Sequence, residues 1–232
     1  TTITDGNWHY VVGTYDGSNL KLYVDGVLEA TTVITATPLT GNGSAYLATS
    51  AGSNFYNGSM DEISVWNRAL SAAEVTNLIG QRLAGTESGL VAYYNFAANT
   101  RNGQGQTIYN SCTATGSTLN GTSVGTSATP VFTCSILPVT PPSCAILLNG
   151  WGDAAYMNNG LGSFPSITNN FTMEVKAKPL LPQGNATAAQ YGGIFDGQRY
   201  VLGPDQGEGN YAPGHAGVGI SLGTNGFAVY EH

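Results

Sequence analysis

Short alternating apolar runs, each closed by a turn, limit what this chain can fold into. The clearest reads Leu20-Lys21-Leu22-Tyr23-Val24-Asp25-Gly26. Leu20, Leu22 and Val24 alternate with Lys21 and Tyr23, the two-residue period of a strand with one buried face. Asp25-Gly26 then supplies two positions that tolerate positive φ, as a tight hairpin turn requires. Residues 8–15 precede it as a β-rich run ending at Asp16-Gly17, and residues 27–33 return as the partner strand. Further strands are expected at 44–49, 55–66 and 90–96. In the run 55–66, Met60, Glu62, Ser64 and Trp66 fall on one face and Asp61, Ile63 and Val65 on the other. Such a mixed pattern suits a strand covered on both sides. After residue 144 the pattern restarts, with strands at 145–150, 153–157 and 170–179. Two hairpins follow, one around Gly197-Gln198 and one around 223–226. Alternation and turn signals together give roughly thirteen strands.

Only 9% of the residues are charged, against about 25% in an average soluble protein. The 32 glycines and 13 tyrosines, with abundant Thr, Ser and Asn, favour short strands over long helices. One helix is expected. Ser71-Ala72-Ala73-Glu74 is a capping box, in which Ser71 and Glu74 satisfy each other's backbone amides. The helix runs over 72–79, stops at Gly80, and is expected to plug an edge or end of a sandwich. The net charge of −7 argues against nucleic acid and anionic membrane as partners. No apolar run of about 18 residues is present, so no membrane insertion is expected. The chain opens at Thr1 with no visible signal peptide, which reads as a mature product or an excised segment. The polar, Lys-poor composition suits an extracellular or cell-surface protein. Cys112, Cys134 and Cys144 lie in the least regular region. One disulfide is expected to pin a loop there, assigned to Cys112 and Cys134, although the spacing leaves the pairing open.

Three stretches carry a family resemblance. They are Trp8-His9-Tyr10-Val11-Val12-Gly13-Thr14-Tyr15, the 20–26 hairpin, and Asn57-Gly58-Ser59-Met60-Asp61-Glu62-Ile63-Ser64-Val65-Trp66 with its capping box. Together they resemble the C-terminal half of a laminin-G-like, concanavalin-A-type domain. Ala145-Ile146-Leu147-Leu148-Asn149-Gly150 and Asn170-Phe171-Thr172-Met173-Glu174-Val175 resemble its N-terminal half. The resemblance implies an all-β, antiparallel jelly-roll β-sandwich with one short helix, its halves in inverted order. Residues 1–96 would be the C-terminal half, 97–143 Gly/Thr/Ser-rich loops and a Pro-containing linker, and 144–232 the N-terminal half. Neither half can stand alone, because each would expose the apolar inner face of its sheets. The completing half comes either from the same chain, as in a circular permutant, or from a neighbouring repeat, which would build a fibre.

The carboxylates do not read as catalytic. Glu174 stands alone on its strand, and the adjacent Asp61 and Glu62 point to opposite faces. His9, His215 and His232 have no nucleophile context. Glycan binding calls for aromatic platforms beside polar groups. The candidates are Trp151, Tyr200 and, in the polar loop Gly203-Pro204-Asp205-Gln206-Gly207-Glu208-Gly209-Asn210-Tyr211, the residues Asp205, Asn210 and Tyr211. Trp8 and Trp66 are expected in the core. The resemblance further implies a Ca2+ site, with Asp61, Asp153 and Asp196 as the carboxylates that would supply hard oxygen ligands. Asn-x-Ser/Thr sequons begin at Asn42, Asn57, Asn120, Asn170 and Asn185, as expected by chance in such a composition. The sum is a non-catalytic extracellular adhesion or assembly module whose partners are neighbouring copies or repeats. The alternative is a lectin-like module, attached to a larger secreted enzyme, whose partner is a glycan.

Overall fold

A computed structural model describes residues 3, 5–34, 45–49, 55–99, 102–113, 119–125, 130–134, 144–149, 154–157, 170–182, 200–204 and 218–231. The first run of strands is laid down as the alternation requires: β1 (His9–Tyr15), β2 (Asn19–Val24), β3 (Val27–Val33), β4 (Ala45–Leu47) and β5 (Asn57–Trp66). The helix α1 (Ala72–Leu78) and β6 (Leu90–Tyr94) follow. The middle of the chain supplies β7 (Thr107–Ile108), β8 (Gly121–Val124) and β9 (Val131–Cys134). The last stretch gives β10 (Cys144–Asn149), β11 (Ala154–Met157), β12 (Phe171–Pro179), β13 (Tyr200–Pro204), β14 (Val218–Gly223) and β15 (Gly226–Glu231). The hairpin expected around Gly197-Gln198 and the segment 135–143 lie outside the described residues.

These strands form two antiparallel sheets. The larger runs β3-β2-β1-β12-β5-β10-β9, with β6 also paired to β5, and the smaller runs β15-β14-β13-β4-β11-β8-β7. Early and late strands therefore alternate. β12 sits between β1 and β5, with Tyr15 opposite Phe171 and Trp66 opposite Thr172. β4 sits between β11 and β13. The segments 9–66 and 144–231 pair with each other within one chain.

The main core lies between the sheets and draws on both. Val11, Leu22, Val24, Met60, Ile63, Val65, Ile146 and Val175 come from the larger sheet, and Leu47, Val201, Ile220 and Leu222 from the smaller. Fully burying a side chain of this kind stabilises by about 1.5–3 kcal/mol.

The alternation in β5 is interrupted, which corrects the expected faces. Ser64 pairs with Glu174 but Asp61 pairs with Lys176, so two residues of β5 oppose the single Val175. Glu62 sits in this bulge at φ 51. The extra residue shifts the phase. Met60 thus joins Ile63 and Val65 in the main core, while Trp66 faces the other side. The bulge also marks a change of partner: Asn57–Met60 pair with β10, and Ile63–Trp66 with β6.

A second apolar cluster lies on the outer face of the larger sheet. Tyr10, Val12, Tyr23, Trp66, Leu70, Leu90 and Tyr93 pack there with Val75 of α1. The helix is therefore a cover for an outer sheet face, not a plug at an edge or end. This also explains why Tyr23, on the polar side of the β2 alternation, is 4% exposed. The Ser71–Glu74 capping box is formed in both directions. The β2–β3 turn has the expected geometry, with Asp25 at φ 51 and Gly26 at φ 81. Gly26 serves packing as well, since a Cβ there would stand 2.7 Å from Ile79 Cδ1.

The cysteine assignment is also corrected. Cys112 is a buried free thiol in the outer cluster, donating to Leu90 O at 3.5 Å. The disulfide-bonded residue is Cys144, and the β9–β10 register sets Cys134 directly opposite it. Cross-strand partners lie within the reach a disulfide needs, whereas Cys112 is fixed beneath β6.

Candidate functional site

Polar chemistry among the described residues gathers around the start of β1. The first group is centred on His9, which is 5% exposed. Its Nδ1 lies 2.8 Å from Asp25 Oδ2 and its Nε2 lies 3.0 Å from Asp5 Oδ1. Neutral imidazole donates from one nitrogen only, so two facing carboxylates favour the doubly protonated ring. Burial opposes that charge, but Asp25 and Asp5 together outweigh it and raise the His9 pKa above its ordinary value. The Asn7 backbone amide, then its side chain, then His9 lower the Asp5 pKa to about 2. Asp25 does more than form a turn. Its Oδ1 also accepts the Tyr10 amide at 2.9 Å, tying the hairpin to β1.

The second group is buried. Glu174, which is 3% exposed, accepts from the Tyr10 and Ser64 hydroxyls, and Trp66 Nε1 donates to Ser64 Oγ at 2.6 Å. Burial pushes the Glu174 carboxyl up despite these bonds, and burial likewise pushes Tyr10 up. Beside it, Glu62 accepts from Arg82 Nε at 2.7 Å and from the Tyr93 hydroxyl. The sequence singled out Glu174 as a lone carboxylate. Its partners were hidden because Tyr10 and Ser64 lie far away in the chain.

The third group is open to solvent. Trp8, expected in the core, is 38% exposed. It precedes the first residue of β1, in the same outward series as Tyr10 and Val12. Lys176 Nζ stands 5.9 Å from its ring centroid. Lys178 lies two residues further along β12. The signal for this patch was present in the sequence: both lysines belong to one strand in a chain that has only three.

The residues picked from sequence are placed as follows. Tyr200 opens β13 opposite Ser221. Trp151, Asp205, Asn210, Tyr211, Asp153 and Asp196 lie outside the described residues. Asp61 is 2% exposed, and its Oδ1 accepts the Glu62 amide at 2.8 Å. Among the described residues no three His, Cys, Asp or Glu side chains come together to hold a metal ion, so Asp61 has no such ligand set around it there. Four of the described carboxylates already serve internal partners. Glu174 is sealed among hydroxyls, Glu62 holds Arg82, Glu74 holds Arg68 at 2.8 Å, and Asp16 caps its own turn.

Two interleaved antiparallel sheets over one core, with one short helix among the described residues on an outer face, define a lectin-type β-sandwich. Residues 1–76 match the laminin-G-type family model described as the concanavalin A-like lectin/glucanases superfamily, 76 of the 232 residues. That segment is similar to this family, and the two-sheet architecture of the chain is consistent with the corresponding sandwich fold. No curated protein and no solved structure matches the chain. No helix among the described residues is long and apolar enough to cross a membrane.

Proposed function

We propose that this chain acts as a non-catalytic binding module of adhesion or lectin-like type, displayed outside the cell. The observation that carries this reading is the state of the described carboxylates. Each of those discussed above already serves an internal partner, whereas glycoside hydrolysis needs two facing acids with room for a sugar between them. The matched family points the same way, toward recognition by a rigid sandwich. A disulfide-bonded Cys144 supports an oxidising compartment. Strands of both halves come from one chain, which supports a self-contained module. Repetition along a longer surface protein would add avidity without exchanging strands.

The test is binding of the isolated protein to immobilised glycans and to whole cells, alongside its mass by light scattering. A folded monomer with a saturable signal, lost in Tyr211→Ala, is the expected result. A folded monomer that binds neither glycan nor cell surface overturns the reading, and so does turnover of a glycan substrate.

A further inference from the structure

β3 ends the larger sheet, and among the described residues no strand pairs with its far edge. Of the strands at the ends of the two sheet paths it is the longest, with seven residues against six in β15, four in β9 and two in β7. Native edges are guarded by Lys, by Pro, by charge or by cover. β3 has neither Lys nor Pro, its one charge is Glu29, and every other residue of it is exposed, Val33 at 69%. The ladder decides which backbone groups this edge offers. Ile34 donates its amide to Ser18 O at 2.8 Å, and inward and outward residues alternate along an antiparallel pair. Thr32, opposite Leu20, therefore turns its N–H and C=O toward β2, while Thr31 and Val33 turn theirs outward.

We propose that the β3 edge pairs antiparallel with the β3 edge of a second copy of this chain, about a two-fold axis at Thr32. The inference deepens the adhesion reading, on which it rests, by naming another copy as the partner. An axis at Thr32 sets Thr31 opposite the second copy's Val33 and Val33 opposite its Thr31, so each outward N–H and C=O finds its complement. It also stacks β-branched side chains across the seam, a favourable cross-strand pairing. No like charges meet, because the two Glu29 residues stand about 20 Å apart along the strands. A foreign strand is selected by side-chain pockets beside the edge it joins, and an edge exposed on both faces has no such walls. A second copy matches the edge by symmetry alone. The contact is isologous, so it closes at two copies and does not extend into a fibre. A seam of residues 30–34 is far smaller than the roughly 800 Å2 per partner of a stable dimer. The dilute chain is therefore a monomer, and pairing appears where copies are crowded, as on a surface.

The test is sedimentation velocity of the full chain from about 1 μM to about 1 mM, with disulfide trapping. A monomer–dimer equilibrium should appear at the upper end. It should tighten as salt is raised, because each copy carries net charge −7 and the seam contains no ion pair to be screened. Thr32→Cys brings two thiols onto the axis, with Cα atoms about 4.5 Å apart, and should cross-link on mild oxidation. Ala30→Cys, about 14 Å from its copy, should not. Thr31→Pro removes an outward amide without touching the β2 ladder and should weaken pairing at least about tenfold. Val33→Lys should weaken it too, and circular dichroism of both variants should match the parent. A monomer at every concentration, equal cross-linking of the two cysteine variants, or dimerisation that survives Thr31→Pro and Val33→Lys overturns the inference. Cell-surface or glycan binding that persists in those cases leaves the adhesion reading standing, and its absence overturns both.

Discussion

At the residue scale, His9 is where solvent conditions enter the fold. It is held charged between Asp5 and Asp25, and its folded pKa is raised. The stability it contributes is fully present below its unfolded value of about 6.5 and is lost as pH rises through the raised folded value. Asp5 acts in the opposite window. Its lowered pKa gives a contribution present above the ordinary carboxylate value and lost as pH falls toward about 2. His9→Gln should therefore lower stability by about 1 kcal/mol in mildly acidic buffer, and by less at alkaline pH. Urea unfolding at a series of pH values checks this, and a parallel shift at every pH would contradict the charged assignment. Residue type alone marked Asp25 as a turn former, which it is. Its second task, anchoring His9 and Tyr10, depends on the hairpin folding back over β1, and no local pattern encodes that.

At the element scale, most strands were legible because period-two alternation and Gly-containing turns are local properties. β2 and β3 fall where the Asp25-Gly26 turn puts them, and α1 starts at its capping box. Two features escaped for physical reasons. The bulge in β5 arises from pairing with β12, so nothing around Asp61–Ile63 announces that Met60 changes face. The outer cluster beneath α1 appears in the sequence only as a row of aromatic residues with no stated neighbour. Because the helix has seven residues, it is too short to persist unaided. Its N-cap and the burial of Val75 hold it down over Tyr10 and Trp66. Ser71→Ala should cost about 1 kcal/mol. The cap bonds are remote from the inter-sheet core, so near-ultraviolet circular dichroism should be unchanged at low temperature. A loss above about 3 kcal/mol would mean that Ser71 does more than cap.

At the scale of the whole molecule, the halves read from sequence are not separable bodies. Each sheet takes strands from before and after the linker, so a chain cut between 134 and 144 and reduced should give two fragments that are unfolded alone. Mixing them should restore strand content and cooperative unfolding, followed by far-ultraviolet circular dichroism. Independent folding of either fragment would contradict the shared core. The need for mutual cover was legible, since half a sandwich leaves its inner faces bare. The alternation of partners was not, because β12 finds its place between β1 and β5 through contacts that no short window contains. That insertion bears on how the protein is made. During synthesis, at about 5–20 residues per second, β1 and β5 emerge and wait for β12. For that interval of several seconds both flanks of the future seam are open β-edges. The nascent chain must be shielded or kept unfolded until the central strand arrives, and errors in its biogenesis should trace to that delay.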